Sequence, residues 1–204
     1  MPRLRTVGGE GVDRLNAISD GVFAIVLTLL VLQFEVPEVP PSELGGALRA
    51  MRPLFVSYLL SFFVVGVYWV VHHNLFRLIV RHDRVLLYLN LLFLLSVSFM
   101  PFPTELTGTY GTRLAWTLYA LNFIAMGISM TAVWQYAASS GYVADEITPR
   151  AERLLTLRGL INPAVFALSI GVSAVSLDAA YLVPLLIAPL QLFWARRYGS
   201  PDEE

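Results

Sequence analysis

The sequence has 204 residues, of which 56% are hydrophobic and only 14% are charged, whereas soluble domains carry about 25% charged residues. A soluble fold of this length has too little interior to bury so much apolar surface, so we expect an integral membrane protein. The formal net charge of −1 gives no general attraction to nucleic acid, and the absence of cysteine excludes disulfides and thiolate chemistry.

We predict an all-α protein whose single domain, residues 1–204, crosses the membrane six times. Each crossing needs about 20 mostly apolar residues. The expected spans cover residues about 15–34, 54–74, 85–102, 114–136, 157–176 and 179–195. Pro37 ends the first span, Pro53 opens the second at a favourable first-turn position, and Pro101 ends the third. Pro184 and Pro189 are expected to kink the sixth.

The distribution of arginine indicates how the chain is oriented. If six spans alternate, most arginines fall on one side of the membrane. These are Arg3, Arg5, Arg14, Arg77, Arg81, Arg84, Arg150, Arg153, Arg158, Arg196 and Arg197. Arg49, Arg52 and Arg113 fall on the other side. Because cytoplasmic loops carry the excess of positive charge, we expect a multi-pass protein of the cell membrane with both termini in the cytoplasm.

Polar and charged side chains open the first span. Arg14, Ser19 and Asp20 stand directly before its apolar run. An aspartate well inside a bilayer costs about 2.5–3.5 kcal/mol on insertion scales, so such residues usually have partners. One interpretation places Asp20 at the interface, where it offsets the positive N-terminus of the helix. The other gives it a partner on a neighbouring span.

An apolar stripe continues along the same helix. Ile25, Leu29 and Leu32 are spaced at i, i+4 and i+7, and Thr28 lies at the edge of the stripe. Together they form a face about 10 Å long. Such a stripe commonly packs against another helix or against lipid. It also suits a pore, because a ring of apolar side chains gates or selects ions by forcing them to shed water.

Aromatic and imidazole side chains end the second span, at the membrane face that also carries Asp20. They are Trp69, His72 and His73, and Asn90 lies about one turn into the third span. His72 and His73 point about 100° apart, so they cannot ligate one ion as an i, i+4 pair would. Either one of them reaches Asp20 while the other faces the interface, or the group is an interfacial belt without a specific role.

Other patterns support neither an enzyme nor a cofactor site. The segment Gly8–Gly11 lacks a preceding strand and the Lys-Ser/Thr of a nucleotide site. Ser139 and Ser140 have no base beside them in the sequence. We therefore expect neither catalysis nor a bound cofactor.

Four short segments of this sequence resemble the signature segments of the transmembrane protein 175 family, the lysosomal potassium channel and its bacterial relatives. They occur in the same order as in that family. They are Arg14-x-x-x-x-Ser19-Asp20 running on to Leu30, Tyr68-Trp69 with His72-His73, Leu89-Asn90-Leu91-Leu92, and Pro101-Phe102-Pro103-Thr104. The chain departs from the family at Ile18, where phenylalanine is usual. That change affects packing rather than a polar role.

The resemblance implies a homotetramer of six-helix subunits in which helix 1 of each subunit lines a central pore. It implies conduction of potassium in preference to sodium. We therefore expect potassium as the permeating ion and no other metal. Ile25 would form the narrowest apolar ring, with further layers from Thr28, Leu29 and Leu32. A second group would tie helix 1 to helices 2 and 3 without touching the ion. Its members are Arg14, Ser19, Asp20, Trp69, His72, His73 and Asn90.

Two other functions remain open from the sequence. Asp20 with His72 or His73 suits a proton relay, in a proton-coupled transporter or a proton-permeable channel. The same cluster suits a membrane enzyme or metal protein, although no ligand spacing demands a metal. The expected partners of the channel are potassium ions, further copies of the chain and the lipid bilayer, with no nucleic acid.

Overall fold

The computed structural model describes residues 10–198. In this range six helical segments are long and apolar enough to cross a membrane, which confirms the predicted all-α, multi-pass class. We name them spans 1 to 6. They cover Val12–Gln33, Arg52–Arg77, Arg84–Tyr110, Arg113–Ser139, Pro149–Ser173 and Leu177–Trp194. Arg3 and Arg5, on which part of the orientation prediction rests, lie outside the described residues.

The spans and their connections are built from α-helices and two short 3-10 turns. The helices of the described range are α1 (Glu10–Leu29), α2 (Leu44–Ala50), α3 (Arg52–Arg77), α4 (Arg84–Ser98), α5 (Pro101–Tyr110), α6 (Arg113–Ser139), α7 (Pro149–Gly159), α8 (Ile161–Ser173), α9 (Leu177–Leu182) and α10 (Ile187–Tyr198). One 3-10 turn, Leu30–Gln33, extends α1, and the other, Val183–Leu186, joins α9 to α10.

Pro101 begins a helix where the sequence predicted an end. The third span was expected to finish near residue 102, but α5 starts at Pro101 just after α4, so span 3 continues to Tyr110. The first turn of a helix needs no amide donor from proline. Thr104 Oγ1 also donates to the carbonyl of Met100 across the junction (2.8 Å). Gly111, with a φ of 54°, then ends α5 in the left-handed region.

Spans 1 and 5 begin earlier than the apolar pattern predicted. α1 begins at Glu10 because polar residues continue the helix ahead of the apolar run. α7 begins at Pro149, inside the segment expected to be a polar loop, because the side chain of Thr148 caps it. In span 6 the 3-10 turn contains Pro184, whereas Pro189 lies in the first turn of α10. Only the former proline interrupts the helix.

Span 4 forms the centre of the subunit. In its most apolar window 61% of the residues are buried, against 28% in span 1. Its helix α6 packs against α4 and α8, and the side chains of Trp116, Tyr119 and Phe123 are fully buried. Span 1 lies at the edge and packs mainly against α3 and α4. One face of α1 is therefore left uncovered by the described part of the chain.

The connection between spans 2 and 3 is joined to the connection between spans 4 and 5. Ile79 and Val143 form an isolated antiparallel bridge. Asp83 caps α4 by accepting from the Leu86 amide (3.0 Å), and it also accepts from the Tyr136 hydroxyl (2.7 Å). Burial raises the pKa of the Asp83 carboxyl, but the hydrogen bonds outweigh this effect and hold the pKa below its usual value.

Candidate functional site

Helix α1 has one face inside the subunit and one face outside. The inner face carries Leu15, Phe23 and Val26, which are buried against α3 and α4. The exposed residues of the outer face are Ile18 (56% exposed), Ile25 (59%), Thr28 and Leu29 (41%), and Leu32 (70%) continues this face in the 3-10 turn Leu30–Gln33. Because the two sets alternate with the helical period, they lie on opposite sides of the helix. The outer face contains the whole stripe that the sequence singled out.

Thr28 places a hydroxyl among the apolar side chains of this outer face. Its Oγ1 donates to the carbonyl oxygen of Ile25 (2.7 Å), so α1 itself holds the hydroxyl proton. The side chain is exposed, and the lone pairs of Oγ1 remain available to accept from water or to approach a cation. The outer face therefore combines apolar side chains with one oxygen ligand.

Asp20 is held by span 2. Its Oδ1 accepts a hydrogen bond from Trp69 Nε1 (2.9 Å). Both side chains are exposed. Hydrogen bonds to an ionised carboxylate are shorter and stronger than neutral ones. Asp20 lies about 140° around the helix from Ile25. The carboxylate therefore faces the neighbouring span rather than the stripe.

A buried chain of hydrogen bonds joins the first three spans. Asn90 Nδ2 on span 3 donates to Ser19 Oγ on span 1 (3.1 Å), and Asn90 Oδ1 lies 3.1 Å from His72 Nε2 on span 2. Ser19 Oγ in turn donates to the carbonyl of Leu15 (2.9 Å). Because an amide oxygen only accepts, His72 is the donor in this arrangement. Ser19, His72 and Asn90 are each at most 1% exposed.

Aromatic rings fix the orientation of the His72 imidazole. It stacks on Phe76 with 4.1 Å between ring centroids and on Phe93 with 5.6 Å. Phe23 of α1 meets it edge-on at 5.9 Å. The imidazole is thus held to span 1 by an aromatic contact as well as through Asn90. Rotating it would disrupt all of these contacts together.

Arg14 and His73 stand apart from this network, although the resemblance grouped them with it. Both side chains are exposed, and Arg14 forms no hydrogen bond or ion pair with the described residues. Arg14 lies about 9 Å from Asp20 along the helix and about 240° around it. His73 lies beside the ring of Trp69, with 6.1 Å between centroids. The observed ties between spans 1, 2 and 3 therefore do not include Arg14 or His73.

A second polar cluster, which the sequence analysis missed, joins spans 2, 3 and 4. Ser61 Oγ lies 2.8 Å from Thr104 Oγ1 and 3.0 Å from the hydroxyl of Tyr119. All three residues are fully buried. Ser61 precedes His72 by about three helical turns, so both lie on the same face of α3. Polar residues recurring at the helical period within an apolar span are the signal that would have found it.

The imidazole and carboxylate that a metal or enzyme centre would need are engaged with separate partners. Asp20 accepts from Trp69, and His72 is bonded to Asn90. Among the residues that the structure describes, no group of three or more His, Asp or Glu side chains is placed to hold a metal ion. The site is thus a helix with an exposed apolar stripe and a polar anchor behind it.

Comparison with known proteins shows which family the chain resembles. The model of the endosomal/lysosomal potassium channel TMEM175 matches residues 14–101. A protein of Streptomyces collinus described as a potassium channel is 36% identical over 170 residues, covering 80% of this chain and 82% of its own length. The human endosomal/lysosomal proton channel TMEM175 is 32% identical over 134 residues, covering 61% of this chain but only 27% of its own length.

A solved structure is similar over nearly the whole chain. The crystal structure of a lysosomal potassium-selective channel TMEM175 homologue from Chamaesiphon minutus superposes with a TM-score of 0.79 at 31% identity. The superposition covers 94% of this chain and 100% of that one. The family model matches residues 14–101, and both the bacterial relative and the solved structure extend the similarity over most of the chain. The chain therefore belongs to the TMEM175 family.

Proposed function

We propose that the protein is a potassium-selective channel built from four copies of this chain, with α1 of each copy lining the pore. The observation that carries the proposal is the uncovered outer face of α1, opposite a face that is fixed on spans 2 and 3. Gly21 and Ala24 are exposed on the same helix and permit close approach of neighbouring copies. The relative described as a potassium channel and the potassium-selective homologue support the choice of ion.

The apolar ring supplies a physical basis for selection. We assign the narrowest ring to Ile25 and further layers to Leu29 and Leu32. These side chains offer no oxygen ligands, so an ion passes only after losing part of its hydration shell. Potassium is larger than sodium and holds its water less tightly, so its dehydration costs less. The exposed Oγ1 of Thr28 would replace part of the lost water.

The polar anchor would keep this lining in position. A turn of α1 by one residue position, about 100°, would carry Ile25 away from the pore axis. The same rotation would break the hydrogen bond between Ser19 and Asn90. It would leave buried polar groups of Asn90 unsatisfied, and each such group costs about 1–3 kcal/mol. The anchor therefore opposes the motion that would dismantle the ring.

We further propose a location in the cell membrane with both termini in the cytoplasm. The arginines around the joined connections between spans 2 and 3 and between spans 4 and 5 support this orientation. In this orientation Asp20 and Trp69 lie toward the cytoplasm. The 3-10 turn that follows α1 and contains Leu32 lies toward the outside.

Ion flux from proteoliposomes tests the assigned filter. We expect Ile25→Asn to admit sodium, because the amide offers an oxygen ligand and makes the constriction polar. Ile128→Asn is the matched control, since Ile128 on span 4 is 54% exposed, close to the 59% of Ile25. The potassium-to-sodium flux ratio should fall in the first variant only. An unchanged ratio in a conducting Ile25→Asn channel would refute the filter, and cross-linking that yields no tetramer would refute the assembly.

Proton transport is the competing function, and the geometry does not favour it over the channel. The human relative is described as a proton channel, and the proton-relay hypothesis depends on Asp20 and His72. These side chains bond to Trp69 and Asn90 respectively, and no direct hydrogen bond joins them. Saturable transport driven by a pH gradient in the same proteoliposomes would favour the competing function.

A further inference from the structure

A cavity lies within the chain, away from the outer face of α1. It is bounded by spans 2, 4, 5 and 6 and has a volume of about 200 Å³. By the same kind of measure one water needs about 10–15 Å³, so the cavity is large enough for a polyatomic group. Its walls do not include the stripe or the Ser19–Asn90–His72 chain. The pore proposal therefore leaves this cavity without a role.

An arginine lines the cavity without a carboxylate partner. Arg158, near the end of α7, is half-buried and donates from Nε to Gln191 Oε1 (2.8 Å). Within residues 10–198 it forms no ion pair, and no acidic residue lines the cavity. A positive charge inside a membrane-spanning bundle normally pairs with an anion or faces a water-filled space. The cavity beside Arg158 is thus suited to an anionic ligand.

Neighbouring amides fix how the guanidinium is presented. Gln191 accepts from Arg158 and donates from Nε2 to Asn162 Oδ1 (3.2 Å), so its position is set from both sides. The terminal nitrogens of Arg158 make no hydrogen bond with the described residues, which leaves them for a ligand. Two parallel N–H donors in one plane match two oxygens of a phosphate group.

The other walls of the cavity combine polar and apolar side chains and lie near one membrane face. Leu75, Leu78, Met130 and Leu155 contribute aliphatic and thioether side chains. α7, which carries Arg150 and Arg153 as well as Arg158, leads into α8 at this face. A ligand that fits both kinds of wall has a phosphate group attached to an apolar chain. Basic pockets between spans on the cytoplasmic side are suited to anionic lipid headgroups.

We propose that this cavity binds the phosphate group of an anionic phospholipid, with Arg158 as the phosphate ligand and Gln191 as the residue that positions it. Free inorganic phosphate presents the same oxygens, so the two sources are separated by experiment.

Native mass spectrometry of the purified full chain in detergent provides the test. The probes are phosphatidylglycerol and phosphatidylcholine with identical acyl chains, and inorganic phosphate as a competitor. Both lipids carry a phosphate group, but the cationic choline of phosphatidylcholine cancels its charge and would lie beside the cationic Arg158. We therefore expect phosphatidylglycerol to bind at least about tenfold more tightly than phosphatidylcholine, and Arg158→Gln to weaken its binding about tenfold or more, because a charged hydrogen-bond donor is lost. Arg153→Gln, an exposed arginine of the same helix, should change the affinity less than about twofold.

The outcomes separate the possibilities. Displacement of phosphatidylglycerol by millimolar inorganic phosphate, lost in Arg158→Gln, would support a phosphate site at Arg158. Binding of inorganic phosphate without a preference for phosphatidylglycerol over phosphatidylcholine would overturn the lipid and assign the site to the soluble ion. Equal losses in the two arginine variants would overturn the proposal, because surface charge alone would then explain binding. Equal affinity of the wild-type chain for both lipids, with no binding of phosphate, would also overturn it and requires no variant. Potassium flux enters none of these measurements, so the channel proposal stands or fails separately.

Discussion

The hydrogen bond between Asn90 and Ser19 should couple spans 1 and 3, and Ser19→Ala measures the coupling. Removing the hydroxyl leaves one N–H of Asn90 Nδ2 without its acceptor in a fully buried site. An unsatisfied buried donor costs about 1–3 kcal/mol, while measured hydrogen bonds between membrane helices reach about 1.7 kcal/mol. We therefore expect the free energy of unfolding to fall by about 1–2 kcal/mol.

A matched substitution separates this hydrogen bond from the general effect of losing a serine hydroxyl. Ser98 Oγ on span 3 donates to the carbonyl of Leu95 (2.9 Å), just as Ser19 Oγ donates to Leu15, but Ser98 is exposed and accepts from no described side chain. Ser98→Ala should therefore change the free energy of unfolding by less than about 0.5 kcal/mol.

A double-mutant cycle in equilibrium unfolding from mixed detergent micelles isolates the pair. Asn90→Ala also removes the acceptor of His72 Nε2, so this variant alone should cost about 2–4 kcal/mol. In the double variant the Asn90 amide that would lack its acceptor is itself absent. The loss of unfolding free energy should therefore be about 0.5–1.5 kcal/mol smaller than the sum of the losses in the two single variants. Strict additivity, or a Ser98→Ala cost equal to that of Ser19→Ala, would show that the bond does not couple the spans.

Two further predictions concern packing and pH. Gly127→Ala should lower the free energy of unfolding by about 1–3 kcal/mol, because the added Cβ would overlap Pro163 Cγ. Gly66→Ala has open space around its Cβ and is the control in the same assay; equal costs would contradict the close approach of α6 and α8. The lowered pKa of Asp83 stabilises the fold above about pH 3.9, its unfolded value, and this stability should disappear as the pH falls through the folded value. Asp83→Asn should lose that acid dependence in thermal unfolding, and an unchanged acid profile would contradict the assignment.

The number of spans and the stripe on α1 were predictable because both depend on local composition and on the helical period. Which of His72 and His73 faces the interior of the subunit was not predictable. The two residues are adjacent and differ by about 100° in direction, so either can be the inward one. Ring contacts with Phe93 on α4 and Phe23 on α1, rather than with Phe76 on the same helix, determine that His72 turns inward. That rotation is a property of the packed bundle rather than of the segment.

Pro101 shows a second limit of local signals. A proline that ends one helix and a proline that begins the next look alike in a sequence, because both stand where an amide donor is not needed. The contacts of Thr104 distinguish the two cases. Thr104 bonds back to Met100 and also meets Ser61 of span 2, so a long-range contact stabilises the continuation as α5.

The contrast between Ser19 and Asp20 follows from the energetics of burial. A neutral hydroxyl can be buried with a neutral amide and imidazole when each is hydrogen-bonded, whereas an unpaired buried carboxylate is far more costly. Ser19 accordingly occupies the inner face of α1, and Asp20 lies at an exposed edge against Trp69. A fixed negative charge on the stripe itself would attract the smaller sodium ion at least as strongly as potassium and would work against selection for potassium. Placing Asp20 about 140° from Ile25 keeps that charge off the proposed filter while still tying α1 to span 2.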